Sequence, residues 1–478
     1  MASGGHEQWS SRMAFIFAAV GSAVGLGNIW RFPYMAGENG GAAFVLIYIA
    51  FVLFIGMPVL MAELTIGRRG GMSPINSVKK VAEAAKKNPR WSWIGGLGAF
   101  GGGLGLLSFY SVVAGWVLAY IIKAGSGMFT AFWNATEVTQ AATNELAVAA
   151  VREQSSAVVA ALEASPGTMT FWHLIFIAIT IFIVAKGIKS GLEKAVVYLM
   201  PLLFLILLVL VGYSMATGEF SAAVTYLFEP DFSKVTSGTV LAAVGQAFFS
   251  LSLTVGTMLA YGSYLPKNIN IPKSAAIIAA SDTGVALIAG LAIFPLVFAY
   301  GLDPAFGPAL IFETLPIAFG TMPGGQIFGS LFFVLLAIAA VTSSISLLEP
   351  AVSYFEEKYG IGRWKSAVFA GGVAFLIGLL TVFSSNELKD FLPFGFLGLE
   401  TIGETPATFA KIIDFTVSNI IMPVGGLLLA IFAGWIALRK DMRSEMGLKE
   451  GGLFEVWHVL VKYVCPPVLI IIIISGLT

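Results

Sequence analysis

Cysteine is nearly absent: Cys465 stands alone in 478 residues, beside only three histidines, His6, His173 and His458. One thiol excludes an internal disulfide framework, and so few thiolate or imidazole ligands leave little for a transition-metal centre. Charge is also scarce, at 11% of residues, where soluble proteins average about 25%. An ordinary solvated surface is therefore excluded. Lys+Arg and Asp+Glu balance at 27 each, so the chain carries no basic footprint for nucleic acid. A covalent catalyst needs a nucleophile beside a base, and none of the three histidines lies near the unusual polar stretches described below; an enzyme is not expected.

What the sequence has instead is apolar length. Hydrophobic residues make up 57% and the mean hydropathy is +0.88, the composition of a polytopic membrane protein. Eleven apolar segments stand out, at 12–37, 41–67, 91–123, 170–186, 192–216, 240–263, 273–301, 325–356, 364–384, 407–437 and 453–477. They are numbered one to eleven in that order. Each is long enough to cross a bilayer. Residues 1–11 are polar and no small-residue cleavage site follows, so segment one is expected to be a span, not a leader. With the N-terminus inside, 20 of the 27 Lys and Arg fall in cytoplasmic loops. Only Lys123, Arg152, Lys234 and Lys389 fall in external ones. The positive-inside rule then predicts a cytoplasmic N-terminus and, for eleven spans, an external C-terminus. The Ala-rich loop 124–169 is expected to hold a short helix. The loop 302–324, with Pro304, Pro308, Pro316 and Pro323, is expected to fold back toward the external opening.

Two segments are poor lipid-facing helices. Residues 21–33 read GSAVGLGNIWRFP, placing Asn28 and Arg31 directly after three glycines. An ionisable group inside a span costs about 2.5–3.5 kcal/mol on insertion scales and marks a pathway or a partner. Residues 245–256 in segment six read GQAFFSLSLTVG. Segments one and six each lead a set of five, and interruptions at matching places in two halves point to a transport site. Unwound backbone at mid-membrane persists only where it is buried or lines a cavity. Its freed carbonyls can hold a cation, and a half-helix N-terminus can face a carboxylate. These polar groups cluster at mid-depth between charged ends, unlike the continuous polar lining of a channel.

SAVGLGNIWRFPY followed by ENGGAAF, then PVLMAELTIGR, QAFFSLS and AVTSSIS, resemble the neurotransmitter:sodium symporter family across nearly the whole chain. The likeness is strongest to its eleven-span bacterial amino-acid transporters. It implies an all-α membrane fold of eleven transmembrane helices, with an inverted 5+5 repeat and discontinuous helices 1 and 6. Residues 12–216 would form the first repeat, 240–437 the second and 453–477 an extra helix. The implied activity is sodium-coupled import of an amino acid or similar small zwitterion by alternating access. Alternatives are a non-alpha amino acid such as taurine or γ-aminobutyrate, or a ligand sensor on the same fold. The implied cofactors are two Na⁺ ions, in the inner (plasma) membrane, with the protein a monomer or homodimer in the bilayer.

By the same resemblance, one sodium would be held by Ala23, Asn28, Ser250, Asp282 and the substrate carboxylate. The other would be held by Gly21, Val24, Ala339, Thr342 and Ser343. Ser22, Ala23, Leu26, Gly27, Leu106, Tyr110, Phe249, Ser252, Val255, Ser343, Ser346 and Leu347 would line the substrate pocket. Tyr110 would bond the carboxylate, and Phe249 would close over it. Gly25 stands where amine-transporting relatives carry Asp, which favours a ligand that brings its own carboxylate. Thr254 replaces a Gly common in the break. Relatives that need chloride place it near positions matching Tyr48, Gln246, Ser250 and a polar pair in segment seven. Here that pair is Asp282 and Ala286, so Asp282 is expected to supply the negative charge and make transport chloride-independent. Arg31 and Asp414 would form the outer gate. Trp9 would plug the inner side, where Glu357 would face His6 in place of the usual Arg. Glu63 matches an acid that bonds the unwound backbone, Glu349 is a further buried acid without an assigned role, and the Gly191-to-Pro201 spacing resembles a motif that unwinds segment five.

Overall fold

A computed structural model describes residues 7–135, 145–304, 310–402 and 405–477. The chain is helical almost throughout, because a long apolar run in lipid must satisfy its own backbone groups. Among the described residues nine helices are long and apolar enough to cross a membrane. They are Ala42–Gly70, Pro89–Gly125, Pro166–Ala185, Ile188–Thr217, Ile271–Ala299, Gly325–Tyr359, Arg363–Ser384, Phe409–Ile436 and Leu453–Gly476. These are segments two to five and seven to eleven, with ends displaced by a few residues. Segment one is a bent pair, Arg12–Ala23 and Gly27–Glu38, meeting at 47°. Segment six is divided into two helices too short to count alone, Ser237–Ser250 and Thr257–Ser263.

Side chains mark the helix starts. Ser11 caps the first helix by accepting from the Ala14 amide at 3.1 Å. Asn270 does the same for Lys273 at 2.8 Å, and Thr236 with Thr239 forms a reciprocal cap on segment six. Such caps satisfy orphan amides of the first turn. Segment eight is central: 83% of its most apolar stretch is buried, against 22% for segment eleven at the periphery. It packs along segment three and meets segments one, four, five and nine. The two broken segments lie in this core.

The face assigned to the outside by loop charge carries helix Glu145–Glu163 and a two-residue antiparallel pair, Thr401–Ile402 with Thr405–Pro406. Residues Leu310–Thr321 turn inward there as a buried apolar helix. Its Phe312 ring lies 5.1 Å from Tyr120, 5.8 Å from Trp116 and 6.3 Å from Trp30. On the opposite face, segment five runs helical from Ile188 to Thr217 through Pro201. The stretch from Gly191 to Pro201 is thus wound, with Ile188–Glu193 in wide π turns.

Candidate substrate and ion site

The first break covers Val24 to Leu26. Val24 is extended, with φ −73° and ψ 97°, and Asn28 Oδ1 accepts from the Gly25 amide at 3.1 Å. This cap stands in for the helical bonds the break removes. Asn28 belongs to the sequence for a second reason. Its Nδ2 donates to Ser250 Oγ at 2.9 Å, to the Asp282 carbonyl at 3.0 Å and to Asp282 Oδ1 at 2.7 Å. Ser250 also donates to the Asp282 carboxylate (2.7 Å to Oδ2), as does the Tyr48 hydroxyl at 3.0 Å. Asn28, Tyr48, Ser250 and Asp282 are wholly buried. Gln246 Nε2 donates to the Gly27 carbonyl at 2.7 Å, while its Oε1 is buried without a hydrogen-bond partner among the described residues. Three of the four residues expected around the first sodium are therefore in mutual contact, and Ala23 ends the helix at the break beside them.

Six residues interrupt segment six. Ser252, Thr254 and Gly256 alternate into the left-handed region, with φ of +50°, +65° and +82°. Left-handed backbone is uncommon for serine and a genuine outlier for a β-branched threonine. The surroundings hold it in place. Glu63 Oε1 accepts the Thr254 amide at 2.7 Å, and the Ser252 hydroxyl donates to the Ser22 carbonyl at 2.8 Å. The two breaks thus bond to each other directly.

Segment eight closes the third side. Ser343 Oγ reaches the carbonyls of Ser22 at 3.2 Å and Gly21 at 3.4 Å. Thr342 Oγ1 lies 3.1 Å from the Ala339 carbonyl. The second expected ion set, Gly21, Val24, Ala339, Thr342 and Ser343, accordingly comes from the end of helix Arg12–Ala23 and the facing stretch of segment eight. Its atoms are carbonyl and hydroxyl oxygens, and the first set adds one carboxylate; such donors suit a hard cation.

Of the expected pocket residues, Tyr110 Oη accepts from the Leu26 amide at 3.4 Å. Ser22 and Ser346 share a 2.8 Å hydrogen bond. Leu106, Val255 and Leu347 are buried, and the Val255 and Leu347 carbonyls converge on Gly103 of segment three. Gly27 lies against the Phe249 ring. A Cβ on Gly25 would collide with Ser343 Oγ and stand 3.1 Å from Tyr110 Oη, so the site has no room for a side chain there.

Above the breaks lies a cavity of about 460 Å³ lined by Trp30, Arg31, Phe109, Phe249, Thr381, Ala410, Lys411 and Asp414, among others. The Arg31 guanidinium sits 4.4 Å over the Phe249 ring. Arg31 and Asp414 face the same cavity, and among the described residues no ion pair joins them. Below the breaks the irregular N-terminal stretch from Glu7 is fastened. Glu7 accepts the Ile188 amide at 2.8 Å. Trp9, only 2% exposed, donates through Nε1 to the Tyr261 carbonyl and through its amide to that of Tyr264, both at 3.1 Å. Ser10 binds Glu193, its amide at 3.0 Å. His6 lies outside the described residues. Its expected partner Glu357 accepts from the Ser73 amide at 2.7 Å and Asn76 Nδ2 at 2.8 Å.

Sequence reasoning left Glu349 without a role. It accepts from Tyr264 at 2.7 Å and pairs with Arg363, which also binds Glu356 at 2.9 Å. In the sequence Arg363 stands out only as one of the basic residues in the loop before segment nine. A buried acid fourteen residues before an Arg across a short turn was the available signal.

Two broken membrane helices meeting a third over oxygen donors, between an open cavity and a plugged face, define a membrane transporter. The chain belongs to the Sodium:neurotransmitter symporter family, whose profile matches residues 6–478, and is a sodium-dependent transporter. It is 37% identical over 473 residues to the uncharacterized sodium-dependent transporter YhdH of Bacillus subtilis (strain 168), covering 98% of this chain and 97% of that one. An uncharacterized sodium-dependent transporter of Haemophilus influenzae is 33% identical over 98% of both chains. Among solved structures, MhsT in complex with L-phenylalanine superposes with TM-score 0.85 at 38% identity, over 99% of this chain and 100% of that one.

Proposed function

We propose that this protein imports an amino acid with two sodium ions, independently of chloride, from the outside of the plasma membrane. The observation that carries the reading is the buried junction of Asn28, Ser250 and Asp282 beside Gly25. The junction offers oxygen ligands for a cation, and Gly25 leaves the adjacent carboxylate to be brought by the ligand. A relative 38% identical was solved with L-phenylalanine, a zwitterion of the required kind. In this reading residues 12–216 and 240–437 are inverted repeats whose first helices are broken at matching places. The N-terminus is cytoplasmic.

Coupling follows from shared coordination. The first sodium would displace the Asn28 Nδ2 donations to Ser250 and Asp282 and be held by Asn28 Oδ1, Ser250 Oγ, the Asp282 carboxylate, the Ala23 carbonyl and the substrate carboxylate. Substrate and sodium then complete each other's ligand shells. Tyr110 Oη, already at the Leu26 amide, holds the other carboxylate oxygen. The second sodium ties the first break to segment eight through Gly21, Val24, Ala339, Thr342 and Ser343. Occupancy shifts the population between outward and inward forms. Phe249 and the Arg31–Asp414 pair close above, and Trp9 with Glu357 releases below. By linkage, sodium and substrate raise each other's affinity by the same factor.

The test is uptake into proteoliposomes under an inward sodium gradient, screened against the protein amino acids, taurine and γ-aminobutyrate. Concentrative uptake of one amino acid, abolished when the gradient is collapsed and unchanged without chloride, is expected. Sodium-dependent binding with neither uptake nor counterflow would establish a sensor instead.

A further inference from the structure

We infer that Thr254 is a positioning residue that fastens the break of segment six to segment ten, so that the state of the central site is transmitted to the helix bearing Asp414. The inference rests on the transport reading above. Its basis is a conflict. Thr254 adopts φ +65° in a position where a β-branched residue is strained, and it is 5% exposed. Glycine would relieve the strain at no steric cost. The threonine side chain is nonetheless fully used. Its Oγ1 donates to the Met422 carbonyl of segment ten at 2.8 Å. Segment ten makes room for it at Gly425, where a Cβ would stand 3.1 Å from Thr254 Cβ and 3.4 Å from its Oγ1; the neighbouring Gly426 makes room chiefly for the Phe248 ring.

The backbone of Thr254 is held by segments two and three. Its amide is held by Glu63, and its carbonyl lies 2.8 Å from where a Cβ on Gly98 of segment three would be. Four residues before it in the same run is Ser250, a member of the Asn28–Asp282 junction. Segment ten runs as one helix from Phe409 to Ile436. Asp414, at the cavity above, is eight residues from Met422, about 12 Å along the helix. A displacement of the break on substrate binding therefore reaches Asp414 through one hydrogen bond and one continuous helix.

The experiment uses the full chain with Cys465→Ser and a reporter, Ala410→Cys, on the cavity wall. Thiol labelling is timed with and without sodium plus a mixture of the twenty protein amino acids, taurine and γ-aminobutyrate. The ratio of the two rates is the protection. Thr254→Ala is expected to lower protection about five-fold, the effect of one buried neutral hydrogen bond on a two-state equilibrium. Thr254→Ser, which keeps the hydroxyl, should stay within about two-fold of the parent on the same reasoning. Gly425→Ala should lower protection when Thr254 is present and have no effect in a Thr254→Gly background. A purely structural role would lower the melting temperature of Thr254→Ala and leave protection intact, which overturns the inference. Equal harm from Gly425→Ala in both backgrounds overturns it too. A parent that the mixture and sodium do not protect refutes the transport reading itself, and the inference falls with it.

Discussion

Replacing Asp282 with Asn removes the one negative charge of the Asn28–Ser250–Tyr48 junction while keeping the shape. Asp282 is fully buried, and its carboxylate accepts from three side chains. A unit charge pair about 4 Å apart at an effective dielectric near 20 is worth about 4 kcal/mol. The carboxamide keeps a carbonyl dipole toward the cation and returns roughly half of that, leaving a loss of about 2 kcal/mol, or about 30-fold in sodium affinity. The variant also strips the charge that Tyr48 and Ser250 bond, at the position where the family resemblance implies chloride for relatives that need it. The assay is initial uptake into proteoliposomes at graded sodium, in chloride and in gluconate. For the parent, the two anions should give the same curve. For Asp282→Asn, half-saturation should move up about 30-fold in gluconate and recover in part with chloride. Parent-like uptake by the variant in gluconate refutes the assignment of Asp282 as the resident counter-charge.

Gly25→Ala places a methyl against Ser343 Oγ and Tyr110 Oη; amino-acid binding measured by scintillation proximity should fall about 5- to 150-fold, as overpacking of a tight site costs about 1–3 kcal/mol. Trp9→Ala removes a buried ring hydrogen-bonded to Tyr261, a loss of about 3–5 kcal/mol from the plugged state. A Ser263→Cys reporter should then label rapidly from the predicted cytoplasmic side. Arg363→Ala leaves the buried Glu349 without its cation, and breaking such a pair costs about 3–5 kcal/mol. The melting temperature in detergent should drop, and adding Glu349→Gln should restore part of it.

The spans were legible because a bilayer imposes length: ten of the eleven apolar segments match helices or the bent pair within a few residues. Segment six was read as one run, 240–263, since apolarity continues across the interruption while the backbone does not. The interruption was legible only through its unusual Gln, Ser and Thr content. Asn28, Ser250 and Asp282 could be grouped through the family likeness, because their sequence separations of 222 and 254 residues carry no local signal. Two further things stayed hidden. The Met422 carbonyl that receives Thr254 is backbone and has no side-chain signature. The antiparallel pair at 401–406 is too short to show a period.

The attachments of Glu7, Trp9 and Ser10 fall within four residues of chain yet grip two different helices, the start of segment five and the tail of segment six. Such a short strip cannot stretch between them. Letting go of one helix drags on the other, so in the proposed transport cycle the plugged face should open in a single cooperative event, without a ladder of half-open stages. Its rate should respond steeply to any pull on the first six residues.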